Sequence, residues 1–146
     1  MKFNRNTQFY IAKNIMNSVF TKNQPMEYEK WTKFVNNHSH ELIWNENTKD
    51  GIEAIANIDK VPESFKERVL GSLNKVRCFS DYDDKKQYYN INCSFSSENN
   101  WVSIGFERTP KIEDLKIFLE MAKYLDALLL KDGTTIIDEK MLGIII

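Results

Sequence analysis

Residues 109–137 constrain the fold of this chain more than any other stretch, because they read as an amphipathic helix running straight into a tight hairpin. Thr109 offers a hydroxyl cap, and Pro110 follows at the one helical position where a missing N–H costs nothing. Ile112, Leu115, Leu119, Ala122 and Leu125 recur at spacings of three and four, making an apolar stripe that Phe118 widens. Glu113, Lys116, Glu120 and Lys123 lie off it. The helix is expected to end near Asp126, since Ala127, Leu128, Leu129 and Leu130 form a short apolar run closed by Lys131, Asp132 and Gly133. Asp-Gly supplies the positive φ values of a tight turn, and Thr134, Thr135, Ile136 and Ile137 are β-branched enough to return as a strand.

Helical spacing also marks the first half of the chain. In residues 7–20, Ile11, Ile15 and Val19 fall four apart with Tyr10 and Met16 alongside, which predicts a first helix capped by Asn6 or Thr7. Pro25 opens a second helix, with Tyr28, Trp31, Val35, His38 and Leu42 on one heavily aromatic face expected to be buried. Residues 52–58 fit both strand alternation and a helical turn, and the reading favours a short helix. Pro62 starts another, with Glu63 and Glu67 at its positive end and Phe65, Val69, Leu73 and Val76 as its stripe.

The sheet is expected to begin at residues 76–80 and to break at the polar run Asp81, Tyr82, Asp83, Asp84, Lys85, Lys86. Tyr89, Ile91, Cys93 and Phe95 alternate with Tyr88, Asn90, Asn92 and Ser94, and Val102, Ile104 and Phe106 alternate with Ser103, Gly105 and Glu107. Two such runs across a short polar loop predict an antiparallel hairpin with one apolar and one wet face. The expected fold is a single α+β domain over residues 1–146. Its N-terminal helices pack on one face of a mainly antiparallel sheet, and a late helix leads into a C-terminal β-hairpin. The predicted core is Ile11, Ile15, Trp31, Val35, Phe65, Val69, Leu73, Ile91, Ile104, Phe106, Leu115, Leu119 and Leu125.

A chain of 146 residues, 42% of them hydrophobic, can build one core without staples. Its net charge of −1, from 20 basic and 21 acidic residues, argues against a general nucleic-acid binder. No apolar run approaches the roughly 20 residues that span a bilayer. The start, with Lys2 and Arg5, lacks the apolar region of a signal peptide. A cytoplasmic protein is expected, with Cys78 and Cys93 as reduced core thiols.

Few residues suggest chemistry. His38 and His40 are the only histidines; two residues apart on a helix, their rings diverge, so a packed His38 and a solvated His40 are expected and no metal. Asp81, Asp83 and Asp84 lack the glycine and distal glutamate of a calcium loop, which leaves a solvated strand connection or a docking surface. The glycines are scattered, so no phosphate-cradling loop forms, and no cofactor is implied. Tyr88 and Trp101 have no interleaved basic residues and fit a protein partner better than nucleic-acid bases.

The stretch 88–138 carries a resemblance. It comprises the hairpin around Tyr89, Ile91, Cys93, Phe95 and Trp101, Val102, Ile104, Phe106, then the helix around Phe118, Leu119, Met121, Ala122 and Leu125, then Asp132-Gly133. This pattern resembles small bacterial immunity proteins, which neutralise the toxin domains of contact-dependent growth inhibition and related polymorphic-toxin systems. The resemblance implies a non-enzymatic, intracellular protein that binds one cognate toxin C-terminal domain. A nuclease toxin would offer a positive cleft, to which Asp81, Asp83 and Asp84 are suited, with Tyr82 and Trp101 as aromatic anchors. Two other classes remain open: a small enzyme or ligand-binding domain with a site around His38 and His40 or residues 81–84, and a structural subunit using the apolar tail 144–146.

Overall fold

In the computed structural model, residues 3–16, 24–72 and 75–143 are described, and they form four α-helices and one seven-stranded antiparallel sheet. The elements run β1 (Phe9–Ala12), α1 (Tyr28–Asn37), β2 (Ile43–Trp44), α2 (Lys49–Ala56), α3 (Glu63–Ser72), β3 (Arg77–Asp83) and β4 (Tyr88–Ser96). They continue as β5 (Trp101–Phe106), α4 (Lys116–Tyr124), β6 (Leu128–Lys131) and β7 (Thr135–Ile137). Across the sheet the order is β2-β3-β4-β5-β1-β6-β7. The α+β class and antiparallel sheet expected from the sequence are what the chain forms.

Alternation in β4 and β5 sets the register at the middle of the sheet. Ile91 pairs with Phe106, Cys93 with Ile104 and Phe95 with Val102. A one-residue slip would turn this whole apolar set over, so the register is strongly specified. Ile91, Cys93, Phe95, Val102 and Ile104 share one buried cluster with Trp31, Phe34 and Val35 of α1 and Phe118, Leu119, Met121 and Ala122 of α4, and Phe106, expected in the core, is partly buried against it. Trp31 is fully buried, with the rings of Trp44 and Phe95 centred 5.4 and 5.5 Å away. Each such aromatic pair adds about 0.5–1.5 kcal/mol beyond its area burial. Phe34 meets Tyr124 at 5.7 Å and so ties α1 to α4.

The N-terminus overturns the sequence reading. Residues 9–12 form strand β1, not a helix, and β1 lies in the sheet between β5 and β6. Phe9 and Ile11 are both fully buried, facing Ile104 and Val102 of β5. The period-two pair Phe9/Ile11 prevails over the four-residue spacing because β1 gains backbone partners on both sides and a core for both side chains. Ile15 is only partly buried, outside any regular element, and Val19 lies outside the described residues. The β1 segment also serves α4: the Lys13 ammonium donates to the carbonyls of Leu125 at 2.7 Å and Asp126 at 3.0 Å, where a helix end has spare acceptors and favours a cation.

α4 begins later than Pro110. That residue is buried ahead of a 3₁₀ turn, Ile112–Leu115, and the Asp114 carboxylate accepts the Lys111 N–H at 2.8 Å. α2 forms where the short helix was expected: Thr48 caps it by accepting the Gly51 N–H at 3.0 Å. Gly51 is required there, since a Cβ would stand 1.9 Å from the Asn45 carbonyl oxygen. α3 forms as well, but Phe65 is 53% exposed, Leu70 50% exposed and Val69 only partly buried, so Phe65 and Val69 leave the predicted core. Leu73 lies outside the described residues.

Candidate functional site

β3 runs on through Asp81, Tyr82 and Asp83, so these residues do not form the loop expected from their polarity. The turn proper is residues 84–87. Asp83 Oδ1 accepts the Lys85 and Lys86 N–H groups at 3.0 and 3.1 Å and shapes that turn. Asp84 is exposed. Asp81 has φ of 58°, a left-handed conformation that Asp tolerates better than most residues. Its effect is to break the alternation: Ser80 and Asp81 face one cleft, while Phe79 and Tyr82 face another.

The first cleft, of about 890 Å³, brings together His40, Glu41, Asp81, Arg108 and Asp114. Arg108 is its hub. Its Nε and Nη2 donate to Asp81 Oδ2 at 3.0 and 2.8 Å, and Nη1 and Nη2 donate to Asp114 at 2.7 and 2.9 Å. Nη1 also donates to the Thr109 carbonyl at 3.2 Å, so all five guanidinium N–H donors are used. Asn90, a buried polar residue, donates to the same Asp81 Oδ2 at 3.1 Å. Hydrogen bonds donated to Asp114 hold the Arg108 pKa above its ordinary value, against burial, with Asp81 adding to the effect. For Asp114, burial alone would push the carboxyl up; Arg108 and the Lys111 N–H outweigh it and hold the pKa below the usual carboxylate value. The network clamps β3, β4 and the start of the α4 region together.

The second cleft, of about 580 Å³, lies between α2 and the β3–β4 hairpin. Its floor is aromatic: Tyr89 meets Tyr82 edge-on at 4.9 Å and Phe79 at 5.5 Å. Asp50 and Glu53 of α2 and Glu107 after β5 stand around it, with Lys49 as its one lysine. Burial, then Tyr82 and the Asp50 charge, raise the Tyr89 pKa. Tyr82 is 45% exposed and Tyr88 37% exposed, with the Lys86 ammonium 5.7 Å from the Tyr88 ring centre.

Trp101 does not join this group. It pairs with Ser96 at one end of β4, whereas Asp83 pairs with Tyr88 at the other. Eight strand steps separate the two ends, roughly 26 Å. There Trp101 packs on Tyr10 at 5.1 Å. His38 stacks on Phe34 at 3.9 Å, and its Nδ1 donates to the Phe34 carbonyl at 2.8 Å; His40 faces Glu41 at 3.2 Å. Cys78 and Cys93 are directly opposed, buried and free. Burial pushes the Cys93 thiol well above its ordinary pKa, Cys78 adds to this, and the Trp31 indole acts against it.

Sequence reasoning missed Arg108, Asp50, Glu53 and Glu107. Asp50 and Glu53 were legible as an i,i+3 pair on one helix face, and Glu107 as a wet-face strand position. Nothing local marks Arg108 as a hub, because its partners lie 27 and 6 residues away.

Among the described residues, no group of three metal-ligating side chains is placed to hold an ion, and no helix is long and apolar enough to cross a membrane. No protein-family model, curated protein or solved structure matches the chain.

Proposed function

We propose that this chain is a non-enzymatic immunity protein that binds and neutralises a bacterial toxin domain in the cytoplasm. In this reading the toxin meets the β3–β4 hairpin and α2, while α1 and α4 cover one face of the sheet and the β6–β7 hairpin closes its far side. The observation that carries it is the display of Tyr82 and Tyr88 beside Asp84, with Asp50, Glu53 and Glu107 around the adjacent cleft. Exposed tyrosines supply large contact area at low entropic cost, and surrounding carboxylates speed encounter with a positive surface such as a nuclease cleft. Of the residues first singled out, Tyr82 and Asp84 are free to make such contacts. Asp81 and Asp83 support them from within the hairpin, and Trp101 would need a separate contact.

The test is co-expression in bacteria with the toxin domain encoded in the adjacent reading frame. Wild type is expected to restore growth, and Tyr82→Ala/Asp84→Lys to lose protection with an unchanged melting temperature. No rescue and no binding by wild type overturns the reading.

A second reading has its own observation. His40, Glu41 and Asp81 line one cleft, which suits a small polar ligand. His40→Ala/Glu41→Gln would abolish ligand binding under that reading and leave toxin protection intact under the first.

A further inference from the structure

We propose that the cleft between α2 and the β3–β4 hairpin is a receptor for one cationic side chain, a lysine or arginine projected by the partner protein. This rests on the partner-binding reading and specifies its chemistry. A cation is recognised best where aromatic faces and carboxylates converge and water is partly excluded, because ring quadrupole and carboxylate charge then act together. The cleft has both. Tyr82, Tyr89 and Phe79 pack into a continuous aromatic floor, with ring centres 4.9 and 5.5 Å apart. Asp50, Glu53 and Glu107 line the same space, and among the described residues none of these three carboxylates has an ion-pair partner.

The contrast with the neighbouring cleft is what points to a ligand. There the Asp81 and Asp114 carboxylates are neutralised by Arg108 of the same chain. Here three exposed carboxylates and an aromatic floor line one cleft, with only Lys49 on the wall and the Lys86 ammonium over the Tyr88 ring. The carboxylates outnumber the chain's own cations, and a cation from a partner would complement them. Burial first, then Tyr82 and the Asp50 charge, raise the Tyr89 pKa, which places the Asp50 carboxylate close enough to act on the aromatic floor. The site also holds its shape without the partner. Gly51 sets α2 against the Asn45 carbonyl, and Asp83 fixes the hairpin turn. A guanidinium or ammonium entering between Asp50 and Tyr89 would lose little by desolvation, because charge and π-faces replace its water.

The experiment titrates the full chain with N-acetyl-arginine amide and N-acetyl-lysine amide, with N-acetyl-norleucine amide as the uncharged control, followed by amide NMR shifts. Shifts centred on Gly51, Tyr82 and Tyr89 are expected for the two cations, saturable and weakened by salt. Asp50→Asn/Glu53→Gln, which removes charge at near-constant shape, should weaken binding by about tenfold. Tyr82→Leu keeps the apolar volume and should weaken it without changing the fold. Equal binding of norleucine amide, shifts centred elsewhere, or no saturable binding overturns the proposal. These outcomes do not depend on toxin protection. A protein that protects but ignores the probes loses this inference alone, and one that binds the probes but protects against no toxin loses the immunity reading alone.

Discussion

α3 and α4 look alike as sequences and are used in opposite ways. Each carries apolar residues at helical spacing with charges between them. α4 buries Phe118, Leu119, Met121 and Ala122, with Phe118 and Met121 fully enclosed. α3 leaves Phe65 and Leu70 about half exposed, and α2 beside it in sequence does the same with Ile52 and Ile55. α4 packs on β1 and β6 and has its C-terminal carbonyls capped from the N-terminal segment by Lys13. α2 is instead held by its cap at Thr48 and the tight contact at Gly51. Periodicity announces that a helix has an apolar side; only tertiary partners decide whether that side is covered. One region of this molecule spends its apolar side chains on stability, and the other leaves them available for contact.

Substitutions can break or sharpen this contrast. Phe118→Ala should cost about 3–5 kcal/mol and Leu119→Ala about 2–5 kcal/mol in denaturant unfolding, as cavities in a well-packed core do. An unchanged midpoint for either would erase the distinction between the helices. Arg108→Leu should cost about 1–3 kcal/mol, because Asp81 and Asp114 lose their shared partner. Gly51→Ala should cost about 1–3 kcal/mol through overpacking against the Asn45 carbonyl. A neutral result there would mean α2 is free to shift. Phe65→Ala should stay within about 0.5 kcal/mol of wild type, as exposed positions do.

The Asp114 clamp adds a pH test. Its pKa is lowered on folding, so its contribution is complete above the unfolded carboxyl value of about 3.9 and is lost as pH falls through the lower folded value. The gap in melting temperature between wild type and Asp114→Asn should therefore be largest near neutral pH and close in acid. A gap that persists unchanged at low pH would assign the stability elsewhere.

Much of the fold was legible, and what was not has physical reasons. The alternation from Tyr89 to Phe106 gave the central hairpin, prolines gave the starts of α1 and α3, and α2 rested on a helical turn that strand alternation fitted as well. β1 was misread because Ile11, Ile15 and Val19 mimic a helical stripe, while what makes it a strand is the slot between β5 and β6, which no local window contains. Residues 81–83 were misread because polarity was taken for a loop; their charges are tolerated in β3 because Arg108 pairs with Asp81 and the turn uses Asp83. Of the residues proposed for the toxin contact, Tyr82 and Asp84 were singled out from local charge and aromaticity. The α2 carboxylates and Glu107 were not, since only folding brings residues 50, 53 and 107 to one cleft.

The most direct measurement of the central claim is amide hydrogen exchange of this chain alone and with the toxin domain bound. The account predicts added protection across α2 and residues 82–89, with β6, β7 and the Trp101 end of β5 unchanged. Protection confined to the β6–β7 side or to the Arg108 cleft, or none at all, would contradict it.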